Sequence, residues 1–171
     1  LLRWSRALAA ACLCIAALLP ALMLVYWWLT PADAVFRQAG LGLSPPAELG
    51  LPVRLAGFAF AMVPLAALVL GLLSARRCFA CFAAGRIFSA EAARGLRGFA
   101  LGVGASALLK PLAGAALSLL LGAASPEQTR TLVLSVGSDT LLSLLFAVMV
   151  AIVASVLVSA ADIAAENEQF V

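Results

Sequence analysis

Apolar residues run along this chain in four long blocks separated by short polar stretches. The first lies between Arg6 and Asp33, the second between Arg54 and Arg76, and the third from Gly98 to Gly122. The fourth lies between Asp139 and Asp162, with an apolar lead-in from Thr131. Each block can supply the roughly 20 residues that cross about 30 Å of hydrocarbon as a helix. The pattern predicts an all-α fold, an integral membrane four-helix transmembrane bundle in one domain, residues 1–171. Its spans fall at 7–29, 55–75, 98–122 and 133–161, with an outer loop over 30–54 and a helical hairpin over 76–97.

The breaks between blocks predict how the spans end. Gly85 suits the residue just past a helix C-terminus. Ser89 suits an N-cap, with Glu91 in the first turn where an acid complements the helix dipole. Spans two and three are therefore expected to continue beyond the bilayer as the two arms of a hairpin. Pro31, Pro45, Pro46 and Pro52, with Gly40, Gly42 and Gly50, punctuate the first loop. Within it Ala32–Gln38 is expected to form one or two helical turns on the membrane surface. Ser125-Pro126-Glu127 reads as a tight outer turn, with Ser125 the N-cap and Pro126 the first residue of the next helix.

Charge sets the orientation. Arg3, Arg6, Arg76, Arg77, Arg86, Arg94 and Arg97 flank the spans on one side, against Arg37, Arg54 and Arg130 on the other. This excess predicts that both termini and the hairpin are cytoplasmic. Tyr26, Trp27 and Trp28 then form an aromatic belt at the outer interface. Arg3 and Arg6 before an apolar run, with Ala32-Asp33-Ala34 after it, have the outline of a cleaved leader. The run of about 24 residues exceeds the usual 7–15 and ends in two tryptophans, so a retained span is predicted. The chain opens without Met, and its true start is expected upstream.

Composition agrees with a lipid-embedded chain. Of 171 residues, 65% are hydrophobic and only 11% charged, where a soluble domain is near 25% charged. The basic residues form no extended face, which argues against direct nucleic-acid binding. The absence of histidine removes the commonest general base and metal ligand. No catalytic residues, metal site or cofactor are predicted. Cys78-Phe-Ala-Cys81 has half the ligands a structural zinc needs. Arg76 and Arg77 would favour thiolates there, but the expected compartment is reducing, so packing along the hairpin is the prediction. Cys12 and Cys14 read as small apolar fillers within a span.

One residue breaks the apolar pattern. Lys110 is the only lysine, and nothing else is charged between Gly98 and Pro126. A charge at mid-span costs about 2.5–3.5 kcal/mol on insertion scales and marks a site by default. Steps of four through this span give Gly98, Gly102, Ser106, Lys110, Gly114, Ser118 and Gly122. Such a row of small residues lets helices approach closely in lipid and places Lys110 in the packing seam. Span four carries a matching row: Ser135, Asp139, Ser143, Ala147, Ala151, Ser155 and Ser159. Aligning Gly98 with Ala161 puts Lys110 level with Met149 and Asp139 about 15 Å nearer the outside. The two side chains also lean apart, so a direct pair is not expected. Pro20, Pro64 and Pro111 each fall near a span midpoint, freeing the carbonyls of Ala16, Phe60 and Ala107. The expected partners of the ammonium are these carbonyls, with Ser106, Ser155 or water. Such a polar knot is either architectural or the centre of an ion path or switch.

The run GRIFSAEAARGLRGF and the ending DIAAENEQFV resemble a bacterial family of domains of unknown function, numbered 2975. The likeness rests on four spans, a Gly-x-Ile/Val-Phe-Ser/Thr loop and an acidic tail. It implies a bacterial inner-membrane protein. Relatives are often encoded beside small helix-turn-helix regulators, which implies a regulatory role with such a regulator as partner. No activity or site residue comes with the resemblance.

The leading expectation is a non-enzymatic regulatory or interaction protein. Arg86, Ile87 and Phe88 at the hairpin tip, with Glu166 and Glu168 of the tail, would meet a cytoplasmic partner. The alternative is a small transporter or ion-coupled protein using Lys110, whose candidate polar site includes Pro111, Ser106 and Ser155, in a homo-oligomer because four spans enclose little path.

Overall fold

The computed structural model describes residues 2–41, 46, 49–86, 89–125, 132–134 and 136–168. Five helices follow in order: α1 (Leu2–Leu29), α2 (Ala32–Gln38), α3 (Leu51–Ala83), α4 (Ala90–Ala124) and α5 (Ser138–Glu168). Four of them, α1, α3, α4 and α5, are long and apolar enough to cross a membrane. The protein is a multi-pass membrane protein. Its long helices pack in chain order, α1 on α3, α3 on α4 and α4 on α5. Among the described residues α1 and α5 share no such seam, so this flank of the row is open.

The ends of the helices follow the local chemistry. Gly85 adopts a left-handed φ of 78°. The Arg86 and Gly85 amides close back onto the Cys81 and Phe82 carbonyls, the Schellman pattern that a glycine permits without strain. Ser89 then caps α4, its Oγ accepting from the Ala92 amide at 3.2 Å. At the other end of the molecule Arg54 does work that its position alone did not announce. Its guanidinium donates to the Trp27, Trp28 and Thr30 carbonyls at 2.7, 3.2 and 3.4 Å. One side chain of α3 thus satisfies the exposed C-terminal carbonyls of α1.

Helix α2 forms where expected, but it is not a surface element. Val35 and Phe36 are buried and join Trp27, Leu49 and Leu121 in the larger apolar cluster. The aromatic belt is divided in the same way. Trp28 faces outward at 64% exposure, whereas Trp27 is 4% exposed. The Trp27 ring lies on Gly57, where a Cβ would sit 2.1 Å from it.

Close contacts fix the levels of the helices. The α3 and α4 backbones meet at Gly71 and Gly102, where a Cβ on Gly102 would be 2.4 Å from Gly71 Cα. Seven residues from Gly71 is Pro64, and seven from Gly102 is Leu109. Seven from Gly57 is again Pro64, and seven from Trp27 is Pro20. Pro20, Pro64 and the Lys110-Pro111 pair therefore occupy one layer near mid-span. Arg76 and Arg97 fall level by the same count. Arg54 and Arg76 are about 33 Å apart along α3, close to the hydrocarbon thickness.

The connection between α4 and α5 departs from the tight turn expected. Ser125 is the C-cap of α4, with its Oγ on the Gly122 carbonyl at 3.0 Å, and not the N-cap of α5. Pro126 and Glu127 lie outside the described residues. The Val133 amide donates to Ser118 Oγ at 3.0 Å, so the chain has come back along α4 by that point. Val133 and Leu134 are non-helical, and α5 starts at Ser138.

Candidate functional site

Return of the chain along α4 brings the head of α5 to mid-span. There Lys110 Nζ donates to Asp139 Oδ2, forming an ion pair. This overturns the expectation that Asp139 is too far away and that freed carbonyls hold the ammonium. The expectation assumed that α4 and α5 fill the same slab. Instead α5 is displaced by about eight residues, about 12 Å, toward the arginine-rich end. Gly104 against Ala147 reports the same register, with 3.6 Å between a Cβ on Gly104 and that of Ala147. The four-methylene arm of lysine spans the residual lean between the two side chains.

Asp139 sits in the first turn of α5, where a carboxylate complements the helix dipole. Its backbone carbonyl accepts from Ser143 Oγ at 2.7 Å. Both charged side chains are more than half exposed, and both line a cavity of about 550 Å³. All five helices contribute to its wall. Met23 and Trp27 come from α1, Gln38 from α2, Pro64 from α3, and Ser106 and Gly114 from α4. A Cβ on Gly114 would meet nothing within 4 Å, so the space begins at the α4 backbone itself. On the side away from the arginines, Tyr26 donates its hydroxyl hydrogen to Gln38 Oε1, tying α1 to α2. The buried indole N–H of Trp27 has no acceptor among the described residues.

The predicted polar residues are only partly assembled. Ser106 shares the cavity with Lys110, and Pro111 follows Lys110 on α4. Ser155 does not belong to the site. It lies 16 residues along α5 from Asp139, about 24 Å away, and its Oγ donates to the Ala151 carbonyl. Trp27, Tyr26 and Gln38 were not foreseen as site residues. The aromatic cluster at the end of α1 was the available signal, read as lipid-facing.

At the arginine-rich end, Arg86 pairs with Glu91 across the hairpin turn at 3.3 Å, both side chains exposed. Ile87 and Phe88 lie outside the described residues, as do the side chains of Glu166 and Glu168. Cys78 and Cys81 are buried against Ala92, with Phe82, Leu96 and Leu157 around them. They pack α3 against α4 and α5. No group of three metal-ligating side chains occurs among the described residues.

No curated protein and no solved structure matches the chain. The family model described as Protein of unknown function (DUF2975) matches residues 46–171, a stretch that runs from the end of the first loop through α3, α4 and α5 and includes both Lys110 and Asp139. The chain belongs to that family.

Proposed function

We propose that this is a non-enzymatic regulatory protein of a bacterial inner membrane, with both termini and the hairpin in the cytoplasm. Occupancy of the mid-membrane cavity biases what the cytoplasmic end presents to a partner. The observation that carries this reading is the Lys110–Asp139 pair at the head of α5 in the cavity wall. From there α5 runs to Glu168 as one helix. Anything that separates the pair acts on the end of a rod about 45 Å long, whose far end is the acidic tail. Paired ionisable groups facing a cavity are the usual form of an intramembrane site. The seven arginines on the hairpin side support the orientation. The hairpin tip, Arg86, Ile87 and Phe88, together with Glu166 and Glu168, is the surface assigned to the partner. A small soluble helix-turn-helix regulator fits the family resemblance. The lack of histidine supports a role without acid–base chemistry.

The test is co-purification from the native host in detergent. A soluble partner should be recovered with the wild type and lost with Arg86→Ala or Phe88→Ala. Lys110→Met should change its recovery without touching that surface. Recovery unaffected by all three changes overturns the reading.

Transport is the second reading, favoured by the position of the ion pair at mid-span. Against it, the α3 and α4 backbones are in contact at Gly71 and Gly102, on the arginine-rich side of the cavity. Flux through wild-type protein in liposomes would restore transport to first place.

A further inference from the structure

The cavity has a surplus of hydrogen-bond donors. Lys110 carries three ammonium hydrogens, and the described acceptor is the one Asp139 oxygen. The ammonium hydrogens beyond that bond favour a molecule that brings acceptors. The cavity volume of about 550 Å³ lies within the range of small-molecule sites, about 300–1,000 Å³. Most of the remaining lining is apolar, including Met23, Leu65, Leu68, Val103 and Leu117.

Electrostatics narrows the choice. The ion pair is neutral as a unit, and a net charge at this depth is costly. A ligand that takes Lys110 from Asp139 must therefore leave the site neutral. We propose that the cavity binds a medium-chain carboxylic acid by electroneutral exchange with the Lys110–Asp139 pair. The acid enters protonated from the open α1–α5 flank. Its carboxyl proton passes to Asp139 Oδ2, and its carboxylate takes the place of Asp139 on Lys110 Nζ. One O–H bond breaks and one forms, with no change in net charge. An amine could perform the mirror exchange, but it would bring donors to a wall already rich in them.

Among the described residues, the titratable side chains facing the site are Lys110 from α4, Asp139 from α5 and Tyr26 from α1; those that line it from α2 and α3 carry none.

This inference gives a ligand to the cavity invoked in the proposed function and rests on the cavity being the sensing site. Its test needs no partner, so the two can fail separately. Binding of radiolabelled octanoic acid to purified protein in nanodiscs is measured between pH 6 and 8, with octylamine as competitor. At these pH values the free acid is an anion, so each binding event takes up one proton. Wild-type affinity should fall about tenfold per pH unit. In Asp139→Asn it should be independent of pH. Lys110→Met should abolish binding, and Lys110→Arg should keep it, which separates lost chemistry from lost folding. Absence of saturable binding, wild-type binding independent of pH, or preferential displacement by octylamine overturns the proposal.

Discussion

The two halves of the α3–α4 pair are built from the same kind of residue and have opposite structures. Toward the arginine-rich end, Gly71, Gly95 and Gly102 bring the backbones so close that a Cβ on Gly95 or Gly102 would lie within 3 Å of the facing helix. From Ser106 the row continues across mid-span through Lys110 and Gly114, yet those residues line open space. A small side chain permits close approach without producing it. The change falls just after Gly102, on the arginine-rich side of the layer of Pro20, Pro64 and Pro111, where each proline removes a helix hydrogen bond. On one side of that change small residues make a seam; on the other they make room.

Substitutions should separate the halves. Gly102→Leu is expected to have the largest effect, because no rotamer avoids the Gly71 backbone. It should cost at least about 3 kcal/mol, read as loss of monodisperse protein and a large drop in Tm in detergent. Lys110→Met comes next. It strands the Asp139 carboxylate at mid-span, and Tm should fall further than in the Lys110→Met/Asp139→Leu double variant, which leaves no charge behind. If the double variant is the less stable, the pair is not a unit. The register behind this comparison can be read covalently. With Cys12 and Cys14 changed to alanine, Gly104→Cys and Ala147→Cys should form a disulfide on mild oxidation, since their Cβ separation of 3.6 Å suits one. Lys110→Cys with Met149→Cys, the pair that equal slabs would align, should not.

Arg54→Met should have an intermediate effect, about 1–3 kcal/mol, by uncovering the α1 carbonyls. Faster amide exchange near Thr30 would locate the loss. Gly114→Ala should be the mildest change. Its methyl enters open space, and the gain in helix propensity, up to about 1 kcal/mol, makes a neutral or slightly raised Tm the expected result. A loss comparable to that of Gly102→Leu would mean that the cavity half is closed as well.

Much of this protein is legible residue by residue. The four blocks of apolar sequence become four long helices because in lipid each backbone amide must be satisfied within its own segment. Gly85, Ser89 and Glu91 end one helix and start the next through interactions within a few residues, so local chemistry suffices. Lys110 stands out for a similarly direct reason, the cost of an isolated charge in an apolar run. The burial of Trp27 was not legible, because a tryptophan at the end of a span suits an interface as well as a cavity wall. Arg54 was counted as a charge near the membrane surface, and its role depends on carbonyls 24 to 27 residues away.

The sequence by itself determined the number of spans, the hairpin caps at Gly85 and Ser89 and the presence of an unusual charge at mid-span. Tertiary structure alone decided where α5 stops against α4, and with it the partner of Lys110. A seam of small residues repeating every four positions packs about equally well after a slip of four or eight. Hydrophobic length matching then favours one register, while the attraction between Lys110 and Asp139 favours another. The second prevails because two charges share one neutral site, an energy that neither residue possesses alone.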